Sequence, residues 1–142
     1  MIAVIERAID RLMPQERYRE RPALTDLFHD TAALARTGNS ALVFMVRPEA
    51  MRGTGAIRTQ YQEFLARRRA GLELWLRAQR PDGADPEKAS RRERAFAAAL
   101  NGALLGIHLQ SVVDPDSVDL DESLQSVAAM VDKNVADLWS SP

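Results

Sequence analysis

The stretch AFAAALNGALLGIHLQ, residues 95–110, constrains this chain more than any other. It is long enough for more than four helical turns and carries no charged side chain, yet it places Gly102 and Gly106 four residues apart. A glycine inside a helix costs about 1 kcal/mol relative to alanine, so something must offset two of them. Advancing 100° per residue separates three stripes. Phe96, Leu100, Ala103 and Ile107 form one. Ala95, Ala99, Gly102 and Gly106 form a second, with Leu105 and Leu109 at its edge. Asn101 and His108 lie seven apart on the side opposite the small residues. A helix apolar over most of its circumference is expected to be buried on more than one side.

A small-residue stripe lets a second helix approach closely and gain dispersion contacts along the line of contact. That second helix belongs either to the same chain or to a twofold copy. The end of the sequence favours the copy. Leu120, Leu124, Val127, Val131, Val135 and Leu138 make a clean apolar stripe, with Trp139 beside it. Two terminal helices of this kind, joined by a short loop, would form a four-helix bundle with their symmetry mates. The expected dimer interface is therefore Ala95, Ala99, Gly102, Gly106 and Leu109, together with the stripe from Leu120 to Leu138.

The rest of the chain shows almost no period-2 alternation and repeated 3.6-residue periodicity, which predicts an all-α domain of six helices. The first covers about 1–13. The second runs from Pro22 to about Thr37, with Gly38 as its left-handed cap. A short third helix lies in NSALVFMV and closes before Pro48, after which RPEAMRGTG reads as a loop. The fourth spans about Gly55–Gln79. The fifth starts either at Asp85–Pro86 or at the capping-box pattern SRRE, Ser90–Glu93, and ends near Ser111. The last covers about 120–139, with Asp119 as its cap. Residues 1–142 read as one domain, without repeats or low-complexity tracts.

With no cysteine there is no disulfide framework, and a reducing cytoplasm is the expected location. The acid at Glu6 and the lack of a cleavage pattern argue against a signal peptide. No apolar run looks long enough for a membrane span. The net charge of −1 argues against a strongly basic nucleic-acid binder, but the charge is uneven. Arg52–Arg94 holds eleven basic and six acidic residues, whereas Val112 to the end holds seven acids and one lysine. Such polarity fits solvated faces or a surface used in recognition.

Candidate chemistry is sparse. Two histidines and no cysteine leave little for nucleophile–base catalysis, so no enzyme and no cofactor are expected. The acid-rich DPDSVDLDE lacks the glycine and terminal glutamate of a calcium loop, so it reads as a capped helix start rather than a metal site. His29 falls off its helix's apolar stripe and reads as a surface residue. Arg68 is different: it sits at the centre of the stripe Ile57, Tyr61, Phe64, Leu65, Leu72 and Trp75. A buried arginine must be paired. An internal acid, snorkelling to the rim, or an anionic ligand would each satisfy it.

In helix order and lengths, and in the run AFAAALNGALLGIHLQSVVDPDSVDLDESLQSVAAMVDKNV (residues 95–135), the chain resembles the regulatory part of tetracycline-repressor (TetR) family transcription regulators. The opening IAVIERAIDRL is similar to that family's first helix after its DNA-reading head. The resemblance implies a homodimeric, effector-binding domain of a repressor, meeting DNA only through an N-terminal helix-turn-helix head that is absent before Met1. It implies that a small molecule enters between the second to fifth helices and shifts the first by a change of population. On that reading Phe28, Phe44, Tyr61, Phe64, Arg68, Asn101, Leu104 and His108 line the ligand site. Arg68 would hold a carboxylate or similar acceptor on an amphipathic molecule. A small all-α enzyme using Arg68, His108 and Asn101, and a purely structural dimerisation module without a pocket, are the competing readings.

Overall fold

A computed structural model describes residues 28, 29, 32, 33, 36, 48, 50–53 and 55–140, and all regular structure among them is helical. Three helices have defined bounds: α1 (Ala56–Ala78), α2 (Pro86–Val113) and α3 (Leu120–Val135). The described residues between 28 and 36 are helical, as the periodicity predicts. Pro48 and Ala50–Arg52 are helical too, which corrects the loop expected there: proline fits a helix's first turn, where its missing N–H is no loss. The expected helices at 1–13 and 39–46, and Phe44 with them, lie outside the described residues.

Gly55 precedes α1 with φ 149°, a conformation that side chains rarely adopt. Phe64, Arg68, Leu72, Trp75 and Leu76 then recur at helical spacing and face inward. The first turns of α1 stand clear of the core, and Ile57 is 46% exposed, so its place on the buried stripe is corrected. The connector 79–85 turns the chain back, with Gly83 at φ 84°.

α2 begins at Asp85–Pro86, not at Ser90. The Asp85 carboxylate accepts the Lys88 N–H at 2.8 Å, and Pro86 occupies the first turn. The Ser90–Glu93 pattern therefore falls inside the helix, where it cannot cap. Ala89, Glu93, Ala97, Leu100, Asn101, Leu104 and His108 form the single inward face. Burial on more than one side is not what the described residues show. Ala95, Ala99 and Gly102 are exposed, and Gly106 and Leu109 half-buried. A Cβ added at Gly102 or Gly106 would meet nothing within 4 Å. Close contact with another described helix of the same chain is thus excluded as the reason for these glycines.

α3 is capped by Asp119, whose carboxylate accepts the Glu122 N–H at 2.8 Å. It stops at Val135, and residues 136–140 continue as turns rather than as the helix expected to 139. Its apolar stripe turns inward. Leu124, Val127 and Val131 are 4%, 7% and 5% exposed and join Phe28, Ala32, Leu72, Trp75, Leu76, Ala97, Leu100 and Leu104 in one core. Leu120, Val135 and Leu138 pack against that core, half-buried. This corrects the expectation that the α3 stripe faces a partner: a residue already removed from water within its own chain has little surface left to give. An exposed two-pronged contact from Arg36 to Asp121, both bonds 2.7 Å, ties the earlier helical segment to the start of α3.

α2 also corrects the reading of chain hydropathy. It contains an 18-residue window apolar enough to cross a membrane, and only 28% of that window is buried within the chain. The glycines and lone polar side chains disguise this by eye, but no charged residue interrupts 95–113. Because the glycine face is open, Gly102→Ala should stabilise the isolated fold by about 0.5–1 kcal/mol, read as a higher thermal midpoint at high dilution. A loss of stability there would mean that the face is already covered.

Candidate functional site

α1 and α2 pack side by side, and the polar residues that the sequence singles out meet between them. Arg68, on the inward face of α1, is 9% exposed. Its Nε donates to Asn101 Oδ1 on α2 at 2.8 Å. Its guanidinium carbon lies 5.9 Å from the centre of the Phe64 ring, within range of a cation–π attraction. The Tyr61 ring follows, 5.7 Å from Phe64 and tilted by 37°. These positions arise from simple spacing: residues 61, 64 and 68 fall on one stripe of α1, and 101, 104 and 108 on one stripe of α2.

His108 is 5% exposed. Burial, reinforced by the Arg68 charge, lowers its pKa to about 4, so the imidazole is neutral at pH 7. The result is a fixed cation, a carboxamide and a neutral imidazole beside two aromatic rings. Such a set suits recognition of an acceptor-bearing group better than proton abstraction, because a base poised for catalysis near neutral pH would titrate close to 7. Of the expected lining residues, Tyr61, Phe64, Arg68, Asn101 and His108 come together here. Phe28 and Leu104 lie in the hydrophobic core. Among the described residues, no three His, Asp or Glu side chains converge to hold a metal ion.

A second polar cluster was not anticipated from the sequence. Glu93, 1% exposed on α2, accepts two bonds from Arg80 at 2.7 and 2.6 Å and one from the Trp139 indole at 3.0 Å. Arg80 also reaches Ser90 Oγ at 3.1 Å. Burial alone would raise the Glu93 carboxyl, but the hydrogen bonds from Arg80 and then Trp139, with the Arg80 charge, outweigh it and hold it below its ordinary value. The available signal was spacing: Glu93 stands four residues before Ala97 and eight before Asn101, on the face that is buried. Its match to a capping box concealed this.

An open apolar groove of about 240 Å3 runs between α2 and α3, lined chiefly by Phe96, Ala99, Ala103, Val127, Met130 and Asn134. Met130 is 57% exposed at its edge. No known protein family, characterised protein or solved structure matches this chain.

Proposed function

We propose that this chain is the ligand-sensing and dimerisation domain of a TetR-type transcriptional repressor: a non-enzymatic, cytoplasmic homodimer that binds a small amphipathic molecule and meets DNA only through a separate N-terminal head. The observation that carries the reading is the buried Arg68–Asn101 pair, with His108 and the Tyr61–Phe64 rings beside it. A core arginine bonded to a neutral amide, rather than locked to an internal carboxylate in that bond, can exchange partners. A ligand carboxylate would compete with Asn101 for the guanidinium, since a charge-assisted, two-pronged bond is stronger than a bond to an amide. The six-helix arrangement belongs to the same reading. So does dimerisation through the last two long helices, although the inward stripe of α3 shifts the shared surface toward α2.

A thermal-shift screen of amphipathic acids against their neutral analogues, on wild type and Arg68→Met, tests the ligand half. The acids should raise the melting temperature of wild type, and the variant should lose that response. An equal response in Arg68→Met would remove the site from the reading. The existing Arg68–Asn101 bond also favours a second reading, a dimerisation module whose polar cluster is structural. On that reading no acid shifts the wild type.

A further inference from the structure

We propose that the outer face of α2, together with the α2–α3 groove, docks a second copy of this chain with the two α2 helices antiparallel. This rests on the dimeric half of the preceding reading and is independent of the ligand half.

Four observations converge. The face is apolar and open: residues 95–113 carry no charge, and Val112 and Val113 are 43% and 73% exposed at its end. Its residues also follow two interleaved seven-residue spacings, Ala95–Gly102–Leu109 and Ala99–Gly106–Val113. A 3.5-residue average repeat keeps one face against a partner along the whole helix at a low crossing angle, whereas a steep crossing uses only a few residues. The two glycines, with nothing within 4 Å of where a Cβ would lie, allow the backbones to come close at the centre. The groove, which shares Ala99 with this face, continues the apolar surface onto α3 and offers a recess for side chains of the second copy.

Charge then sets the direction. The face begins among the exposed cations Lys88 and Arg91 and ends at the exposed acids Asp114 and Asp116. An antiparallel crossing centred between Gly102 and Ala103 brings Arg91 of each copy to Asp114 of the other, with Lys88 near Asp116. A parallel crossing would set like charges together. Helix dipoles favour the same choice, since opposite ends then adjoin.

A bilayer fits the same apolar helix less well. Spanning it would carry Glu93, Arg68 and their partners into hydrocarbon, and such charges are costly there.

The chain has no cysteine, so introduced thiols report contacts cleanly. Light scattering should find a dimer. Chains bearing Ala99→Cys, mixed with chains bearing Gly106→Cys, should join through a short bis-maleimide linker, whereas Ala95→Cys alone should not. Arg91→Glu should weaken the dimer about three- to thirty-fold, as the loss of two partly exposed ion pairs would. Adding Asp114→Arg should restore it. Ala95→Cys chains that join to one another would overturn the antiparallel register. A dimer that no α2 thiol can cross-link would overturn the face while leaving the dimeric reading intact. A monomer at high micromolar concentration, or binding to phosphatidylcholine vesicles in place of self-association, would overturn both. The thermal-shift result for acids would stand in either case.

Discussion

Glu93→Gln should lower the unfolding free energy by about 2–4 kcal/mol, the range expected when one member of a buried ion pair is removed and its partners remain. Glutamine fills the same space but turns an N–H2 toward donors. Arg80 and the Trp139 indole would then compete for one carbonyl oxygen where two carboxylate oxygens now accept them. Urea denaturation of wild type, Glu93→Gln and the exposed control Glu87→Gln measures this, and the control should move by no more than about 0.5 kcal/mol. A loss in Glu93→Gln as small as the control's would show that the cluster contributes nothing net. Acid should have a similar effect. Because the folded-state pKa of Glu93 lies below its ordinary value, its contribution is present above about 4.5 and is lost as pH falls through the folded value.

His108 should give the fold a second, separate pH dependence. The unfolded chain takes up a proton on this imidazole near its model value of 6.5, whereas the folded chain resists it down to about 4. Between those values the unfolded state binds more protons, so stability falls with acidification, by at most about 1.4 kcal/mol per pH unit for one group. Over the whole window the loss should reach about 2–3 kcal/mol. Denaturation midpoints from pH 7 to 5, above the range where most carboxylates titrate, isolate this term. His108→Gln and His108→Leu should flatten the profile whatever their effect on absolute stability. Parallel profiles in wild type and both variants would place the titration elsewhere.

Much of the described fold was legible because helical periodicity and breakers act locally. Asp85–Pro86, Asp119 and the connector around Gly83 set the helix limits through capping and turn geometry, which involve only neighbouring residues. Placing Asn101 and His108 opposite Gly102 was legible for the same reason. What the sequence concealed was which apolar face meets which. The α2 glycine stripe and the α3 leucine–valine stripe both read as contact surfaces. Only packing decides that Val127 and Val131 enter the chain's own core while Ala99 and Gly102 remain outside. The role of Glu93 was hidden because its partners, Arg80 and Trp139, are remote from it in sequence, and a local capping motif explained the residue sufficiently.

The shared acceptor at Glu93 also governs how the molecule opens. Residue 80 belongs to the interhelix connector and residue 139 to the turns after α3, yet both end on one carboxylate, and Arg92 reaches the Leu138 carbonyl nearby. Loop and tail are thereby joined into one cooperative unit. Releasing either partner leaves a buried charge less well solvated, so the amides around the connector and those of the C-terminal turns should exchange with deuterium by a common opening event. A chain terminus that would ordinarily fray on its own thus shares the protection of the hairpin between α1 and α2.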